Sequence, residues 1–181
     1  MLHDFGLRYP MPYRDVVRDQ STALDIDEAW VYGLVRQESR FVATARSSAG
    51  ASGLMQLMPS TARWLAKRLG IAGHHASLTE VVETNISMGT NYLRQVMDSL
   101  DNHMVMASAG YNAGPSRAKA WAASRPLEGA VYVETIPFIE TREYVKKVMS
   151  NTVYYARLLR QSSFSLRERL GTVPAKSPQS N

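Results

Sequence analysis

Apolar residues recur every three or four positions along most of this 181-residue chain, and this spacing constrains the fold more than any other feature. Over several turns it predicts helices at 59–70, from about 85 to 100, and from about 141 to 161. Shorter helices are predicted at 104–109 and 116–123, and another begins where Asp25 and Glu28 have the spacing of a capping box. Only 130–133 alternates as a strand does. The sequence therefore predicts an all-α fold with functional loops and little or no β-structure.

The length suits one domain with a proper core and is too short for two ordinary domains. All the strongly periodic segments fall within 25–161, which we take as the domain. Residues 1–24 are interpreted as a lead-in segment that follows a missing upstream helical region. Residues 162–181 are expected to form a flexible tail, because their end is rich in Gly, Pro and Ser.

Composition excludes several classes of protein. The absence of cysteine rules out disulfides, thiolate metal sites and cysteine nucleophiles. The net charge of +5 could attract a polyanion, but the basic residues are spread along the chain, so we expect no nucleic-acid partner. No apolar run is long enough to span a bilayer, so we expect no integral membrane segment. The N-terminus lacks the basic start and apolar core of a signal peptide.

Glu38 is the acidic residue that stands out. No other Asp or Glu occurs until Glu80, and helical spacing places Glu38 on the apolar face that carries Trp30 and Leu34. A carboxyl group there loses hydration, which raises its pKa and lets it donate a proton near neutral pH. The alternative from position alone is a helix-end glutamate that bends to solvent or pairs with Arg36 or Arg40.

A loop of small residues at 47–53 follows Glu38, and backbone in such a loop can approach a ligand closely. It lacks the lysine and the spacing of a phosphate-binding loop. Two further segments, around Tyr111 and at 132–137, combine aromatic and polar residues. Sugar rings need such a surface, with a face to stack on and partners for hydroxyl groups.

Four blocks occur in order along residues 9–159, separated by helical spacers: RQES at 36–39, GASGLMQ at 50–56 with MP at 58–59, AGYNAGP at 109–115, and VETIPF at 133–138 with ETREY at 140–144. In these blocks the chain resembles the catalytic domain of the soluble lytic murein transglycosylases. These bacterial cell-wall enzymes have a goose-type-lysozyme-like fold. Any one block would be a weak signal, whereas four in order are specific.

The resemblance implies that Glu38 is the sole catalytic acid and base, with no metal or cofactor. Glu38 would protonate the oxygen that joins N-acetylmuramic acid to N-acetylglucosamine, and the 2-acetamido group would stabilise the cationic centre. The ionised Glu38 would then accept a proton from the 6-hydroxyl as a 1,6-anhydro ring closes. The acid-free run after Glu38 agrees, because the usual glycosidase needs a second carboxylate; Glu134 is left open as a distant candidate for that role.

The same resemblance implies the substrate-binding residues. Ser47 and Gln56 would donate hydrogen bonds to substrate acyl and hydroxyl groups, and Met58 would form an apolar wall, with core packing as its alternative. Tyr111 would place its hydroxyl beside the catalytic carboxylate while Asn112 holds the loop. Two residues complete the set, each with an alternative: Glu134 as a groove residue or an exposed loop acid, and Tyr144 as a groove or a core residue.

The predicted function is a lytic transglycosylase that acts on peptidoglycan glycan strands as a monomer. The alternatives are a hydrolytic muramidase of the same fold and a non-catalytic peptidoglycan-binding module. Since peptidoglycan lies outside the inner membrane, we expect a periplasmic protein whose export signal is not in this chain, which would then be an excised domain of a larger precursor.

Overall fold

The structure, a computed structural model, describes residues 5–71, 73, 76–162 and 165–176. Its regular elements over these residues are ten α-helices, one 3-10 helix at Ala76–Glu80 and two short strands. The helices are α1 (Phe5–Arg8), α2 (Arg14–Ala23), α3 (Glu28–Glu38), α4 (Pro59–Arg68), α5 (Val82–Asp98), α6 (Met104–Ala113), α7 (Pro115–Ala120), α8 (Gly129–Thr135), α9 (Ile139–Leu158) and α10 (Leu166–Leu170). The predicted all-α architecture is confirmed.

Helix α3 is the centre of the core. Every residue from Ala29 to Val35 is buried, and Trp30 and Tyr32 are completely inaccessible. A helix that is apolar all round must be covered on all sides, and α2 and α9 both pack against it. The indole nitrogen of Trp30 finds its partner inside the core, where it donates to Ser108 Oγ of α6 at 3.0 Å.

Helices α3 and α9 run antiparallel and approach each other closely at Gly33. A Cβ atom at this position would lie 2.6 Å from Thr152 Oγ1 and 2.9 Å from the Thr152 backbone nitrogen. Glycine is therefore required for the two helices to pack at this distance. Asn151 supports the same crossing, because its side-chain amide donates to the Gly33 carbonyl at 3.4 Å.

The lead-in segment packs against the domain through tyrosine side chains. The Tyr32 hydroxyl donates to the Pro12 carbonyl at 3.1 Å, and the Tyr155 hydroxyl donates to the Pro10 carbonyl at 3.0 Å. Tyr9 stacks on Tyr154 with ring centroids 4.6 Å apart. Residues 9–12 are thereby fixed to α3 and α9.

The C-terminal segment differs from the expected flexible tail. Residues 165–176 contain α10 and the strand β2 (Thr172–Val173), which pairs antiparallel with β1 (Leu127–Glu128). Val173 is almost completely buried. The polar, Gly- and Pro-containing composition concealed this packing, because it depends on partners more than 40 residues away. Residues 163–164 and 177–181 lie outside the described residues.

Two local predictions also need correction. The residue that caps α3 is Asp27, whose carboxylate accepts from the Ala29 backbone nitrogen at 2.8 Å, while Asp25 has a left-handed backbone with φ of 49°. The alternating segment 130–133 belongs to α8. Two of its apolar residues, Tyr132 and Val133, are buried, and the Tyr132 hydroxyl donates to the Ala118 carbonyl at 3.0 Å. Helices α4, α5, α6, α7 and α9 occupy the predicted regions within a few residues at their ends.

None of the helices in the described part of the chain combines the length and the apolar content needed to cross a membrane.

Arg169 of α10 joins the C-terminal segment to the start of α3. Its guanidinium forms an ion pair with Asp27 and donates to Gln161 Oε1 at 2.6 Å, while Gln161 donates to Asp27 Oδ1 at 2.9 Å. The Arg169 side chain is only 9% exposed and that of Asp27 only 20%. Solvent screening of this pair is therefore weak.

We expect Arg169→Met to lower the free energy of unfolding by about 2 kcal/mol, because hydrogen bonds to a shielded charged group are lost. Thermal and urea unfolding measure the change. Arg167→Met on the exposed side of the same helix is the matched control and should change stability far less. Equal effects of the two substitutions would show that the Asp27–Arg169 pair contributes nothing specific.

Candidate active site

Glu38 is the last residue of α3, and the chain turns sharply after it. Ser39 Oγ accepts a hydrogen bond from the Phe41 backbone nitrogen at 3.1 Å, and Arg40 and Phe41 both have left-handed backbones with φ of 52° and 68°. This turn ends the helix and leaves Glu38 at its carboxyl end. The partial negative charge of a helix C-terminus disfavours an ionised carboxylate there.

The environment of Glu38 makes it a weak acid. Part of the residue is accessible, but protein atoms surround its carboxyl group closely enough to desolvate it. Burial raises the pKa of Glu38 from 4.5 to about 7, and a hydrogen bond from Tyr144 partly opposes that rise. Near neutral pH the group is therefore present in both its protonated and its ionised forms, as a residue that acts first as acid and then as base requires.

Tyr144 of α9 is the tyrosine that contacts the carboxyl group. Its hydroxyl donates to Glu38 Oε1 at 2.6 Å. The resemblance assigned this place to Tyr111, whose hydroxyl instead donates to the Met55 carbonyl at 2.8 Å. The charge of Glu38 nevertheless contributes to raising the pKa of Tyr111, so the two side chains are near each other. Tyr144 is 5% exposed, so it contacts Glu38 from the protein interior and does not line an open groove.

The basic residues beside Glu38 do not neutralise it. The Arg36 guanidinium lies 4.5 Å from the centroid of the Tyr9 ring. Arg36 and Arg40 line a separate cavity of about 520 Å³ together with Lys146 and Lys147. Neither arginine is among the groups that set the pKa of Glu38. The alternative of a solvated or arginine-paired helix-end glutamate is therefore wrong.

The loop between α3 and α4 is held in a compact shape by its own hydrogen bonds. Ser52 pairs with Leu57 through two backbone hydrogen bonds of 3.1 and 3.0 Å. Gln56 has a left-handed backbone with φ of 46°, and its side-chain nitrogen donates to the Ala45 and Gly53 carbonyls at 3.0 and 2.8 Å. Its amide nitrogen thus braces the loop, which leaves the amide oxygen as the group that can face a ligand.

Asn85 of α5 fixes this loop to the domain, and sequence analysis missed its role. It is 1% exposed, its amide oxygen accepts from the Met55 backbone nitrogen at 2.7 Å, and its amide nitrogen donates to the Thr79 and Ser52 carbonyls. Gly53 has φ of +82°, and a Cβ there would collide with Asn85 and Thr79. A polar residue beside the apolar stripe of α5 was the available signal.

Ser47 and Met58 lie on the surface of the same loop. Ser47 is exposed, and its hydroxyl oxygen accepts from the Ala51 backbone nitrogen at 3.0 Å, so its hydroxyl hydrogen can still be donated. Met58 is 42% exposed, which excludes core packing as its role. Both positions are compatible with a ligand contact, and their part in binding remains a prediction.

Asn112 is exposed at the end of α6 and is tied to α9. Its side-chain oxygen accepts from the Thr141 hydroxyl at 2.7 Å, which is one turn before Tyr144 on α9. The predicted loop-holding role of Asn112 is thus matched by a contact, and Thr141 is a further positioning residue that the sequence did not reveal.

Glu134 is not joined to Glu38. It lies on α8, its side chain is 60% exposed, and its carboxylate forms a 2.8 Å ion pair with Lys146. The hydrogen bond from Lys146 lowers the pKa of Glu134. Lys146 follows Tyr144 by two positions and therefore points to the other side of α9. A contact between Glu134 and a sugar remains a prediction.

In chemical terms the arrangement is one carboxyl group of raised pKa, held by a tyrosine hydroxyl and bordered by a braced loop with amide and hydroxyl groups. Within the described residues, no group of three or more acidic or histidine side chains is placed to hold a metal ion. Such a site suits proton transfer to and from oxygen atoms of a bound substrate.

A family model for the transglycosylase SLT domain matches residues 15–130. The chain belongs to this family. A second model, the soluble lytic transglycosylase helical domain, matches residues 135–163 of the same SLT chain. The family model therefore includes Glu38, the braced loop and Tyr111, whereas Tyr144 falls within the second match.

Curated relatives of this SLT chain agree. The soluble lytic murein transglycosylase of Salmonella typhimurium is 39% identical over 158 residues, which is 85% of this chain and 24% of that protein. The protein of the same description from Escherichia coli K12 is 38% identical over 152 residues, or 82% of this chain and 23% of that one. The chain thus spans about a quarter of the length of the relatives it matches.

Solved structures confirm the predicted lysozyme-like fold of the SLT chain. An inactive mutant of the lytic transglycosylase Slt from Pseudomonas aeruginosa superposes with a TM-score of 0.84 at 39% identity, over 88% of this chain and 26% of that one. The 70 kDa soluble lytic transglycosylase of Escherichia coli gives 0.83 at 35% identity, over 92% and 27%. A complex of the 70 kDa enzyme with bulgecin A gives 0.79 at 35% identity, over 90% and 26%.

We expect Tyr144→Phe to raise the pKa of Glu38 above about 7. The hydroxyl that stabilises the ionised form is lost while burial stays. Carbon-detected NMR titration of glutamate carboxyl groups measures the shift. Tyr154→Phe, on the same helix but stacked on Tyr9, is the control. A pKa of Glu38 that stayed constant or fell in the Tyr144 variant would contradict the assigned hydrogen bond.

Proposed function

We propose that this chain is a lytic transglycosylase domain that cleaves the bond between N-acetylmuramic acid and N-acetylglucosamine in peptidoglycan glycan strands. The reaction leaves 1,6-anhydromuramic acid ends and consumes no water. The observation that carries the proposal is the desolvated carboxyl group of Glu38, with a pKa of about 7 and a tyrosine hydroxyl bonded to it.

Glu38 performs both proton transfers. In its protonated form it donates to the bridging oxygen as the glycosidic bond breaks, which leaves the carboxylate. The 2-acetamido group stabilises the cationic anomeric carbon. The carboxylate then accepts the proton of the muramic 6-hydroxyl, whose oxygen closes onto that carbon, so the proton count on Glu38 is restored.

Tyr144 keeps the two forms of Glu38 close in energy. Burial beside the ionised form of Glu38 raises the pKa of the tyrosine well above its ordinary value, so the hydroxyl remains a donor throughout. Donation to the carboxylate stabilises the form that exists after the first transfer. Without this hydrogen bond, the pKa of Glu38 would be higher, and the carboxylate formed by the first transfer would be less stable.

The lack of a second carboxylate beside Glu38 among the described residues supports a lyase reaction over hydrolysis. Among the described residues, burial and Tyr144 are what set the pKa of Glu38, with no contribution from another acid. Glu134, the candidate for water activation, is paired with Lys146. A two-carboxylate glycosidase needs both groups across one sugar, in retaining enzymes about 5 Å apart.

The relatives support the reaction class and the substrate. They are soluble lytic murein transglycosylases that are 39% and 38% identical to this chain over the aligned residues. The inactive Pseudomonas mutant carries glutamine in place of a glutamate, which fits a single essential acid. We infer that Ser47, Gln56, Met58, Asn112 and Glu134 contact the glycan strand.

The substrate implies the location. Peptidoglycan lies outside the inner membrane, so the domain acts in the periplasm, and we propose that it does so as a monomer within a longer protein. Hydrogen bonds from Tyr32 and Tyr155 hold the lead-in residues 9–12 against this domain.

We expect Glu38→Gln to lower turnover of purified sacculi by at least about 10²-fold, because both proton transfers are lost while shape is kept. Turbidity loss measures the rate. Glu134→Gln is the matched control: it should weaken substrate affinity more than it slows turnover. Retention of more than about a tenth of wild-type turnover by the Glu38 variant would show that Glu38 is not the proton donor.

The same Glu38→Gln variant should be more stable than the wild type, by a pH-dependent amount. The folded pKa of Glu38 is raised, so the stability of the wild type falls as pH increases from about 4.5 to about 7. This loss of wild-type stability reaches on the order of 3 kcal/mol, and glutamine avoids it because it has no proton to release. Thermal melting at pH 5 and pH 8 should show the difference between variant and wild type widening; a constant difference would contradict the raised pKa.

Mass spectrometry of released muropeptides separates the proposed reaction from its alternatives. Products that end in 1,6-anhydromuramic acid are expected. Reducing ends alone would identify a hydrolase of the same fold, and binding of sacculi without any released product would identify a non-catalytic module.

A further inference from the structure

A cavity of about 520 Å³ lies where the end of α3 meets the middle of α9. Seven described residues line it: Arg36, Gln37, Arg40, Lys146, Lys147, Ser150 and Asn151. All seven are polar or charged, four are cationic, and none is acidic. We call this set of residues the basic cavity.

Two of the four cations in the basic cavity have no protein partner. The side chains of Arg40 and Lys147 are exposed, and they form no hydrogen bond or ion pair with any described residue. The same is true of the neutral side chains of Gln37 and Ser150. The cavity therefore contains donors that remain available to a ligand.

Contacts with neighbouring groups hold the other two cations. The Arg36 guanidinium lies 4.5 Å from the centroid of the Tyr9 ring. Lys146 forms ion pairs with Glu134 at 2.8 Å and with Glu143 at 3.3 Å. These two carboxylates thus compensate one lysine, and the cavity keeps an excess of positive charge.

The end of α3 explains only part of this charge. A helix C-terminus favours cations, and Arg36 and Arg40 lie at that end of α3. Lys147 lies about three turns before the end of α9, so the same effect does not account for it. Like charges that share one cavity repel each other, and a bound anion relieves that repulsion.

The lining of the basic cavity favours an acidic peptide over other anions. Its volume is in the range of sites that hold a small organic molecule and exceeds the needs of one inorganic ion. Gln37 and Ser150 can donate to and accept from peptide groups, as can the amide oxygen of Asn151, whose nitrogen donates to the Gly33 carbonyl. No apolar side chain is among the described lining residues, so an acyl chain finds no partner there.

The basic cavity is separate from the candidate active site. Neither Glu38 nor Tyr144 is among the residues that line it. The two sites nevertheless share their supporting helices, because Gln37 directly precedes Glu38 and Lys147 follows Tyr144 by three positions on α9. A ligand in the cavity is thus bound beside the catalytic region without occupying it.

We propose that the basic cavity binds an acidic peptide, whose carboxylates pair with Arg40 and Lys147. The identity of this peptide rests on the proposed function: in peptidoglycan it is a stem peptide, which carries the free carboxylates of the polymer. Bound outside the catalytic region, the peptide holds the domain on the polymer while Glu38 acts on a glycan strand.

Calorimetry with N-acetylated stem peptides prepared from purified sacculi measures this binding directly. Lys147→Gln and Arg40→Gln should each raise the dissociation constant about three- to tenfold, because each removes one charge-assisted contact. Lys147→Arg keeps the charge and should bind nearly as well as the wild type. Lys67→Gln is the matched control, since it removes the same charge from an exposed position on α4, outside the cavity, and should leave affinity unchanged.

Several outcomes of the calorimetry would overturn the proposal. They are no binding of stem peptides by the wild type, equal losses in Lys147→Gln and Lys67→Gln, and unchanged binding after the peptide carboxyl groups are converted to amides. Displacement of the peptide by an equal concentration of inorganic phosphate would identify a simple anion site instead. Binding of phosphatidylglycerol vesicles in place of the peptide, with loss in Lys147→Gln, would identify a lipid-binding surface.

Turnover then distinguishes failure of the cavity proposal from failure of the proposed function. The double variant Arg40→Gln, Lys147→Gln, shown to be folded by thermal melting, should have a raised KM for peptide-bearing strands, an unchanged kcat, and the wild-type KM for peptide-free strands. If the wild type releases 1,6-anhydro products but the variant's KM is unchanged, or rises equally for both substrates, the cavity proposal is wrong and the function stands. If the wild type releases none, the function is wrong, and calorimetry still decides whether the cavity binds an acidic peptide.

Discussion

The close antiparallel packing of α3 and α9 is the contact on which the rest of this structure depends. Gly33 lets Thr152 approach the α3 backbone, and the same pair of helices carries Glu38 and Tyr144. The hydrogen bond between these two side chains can form only if the helices keep their distance and rotation. A small residue in the middle of the core therefore permits the helix spacing at which Tyr144 reaches Glu38, one and a half turns further along α3.

Around this pair of helices, some side chains hold the backbone in place and others are exposed to solvent. Asn85 and Gln56 use their amide groups to hold the backbone of the loop that follows Glu38, whereas Ser47 and Met58 face outward from it. Tyr144 and Thr141 similarly work from the buried face of α9. Because the supporting groups are satisfied by protein partners, the exposed groups are pre-positioned, and binding a ligand need not pay for ordering the loop.

Sequence predicted most of this architecture, because helix periodicity and the unusual position of Glu38 are local properties. The failures involve contacts between distant residues. Tyr111 and Tyr144 are both plausible neighbours of Glu38, and only the packing of α6 and α9 decides that Tyr144 forms the hydrogen bond. Residues 165–176 have a loop-like composition, yet Arg169 and Val173 fix them to the domain. The sequence predicts a helix start near Asn85 but not its hydrogen bonds, because its three partners lie in other segments.

The ion pair between Asp27 and Arg169 has a consequence for how the protein is made. These residues are 142 positions apart, so during synthesis the first turn of α3 cannot form this ion pair until Arg169 has left the ribosome. Contacts of such long range form late, since the loop between them must first be closed. The helix that carries Glu38 thus gains this stabilisation only after α10 has been synthesised, and a product that ended before Arg169 would leave Asp27 without its guanidinium partner.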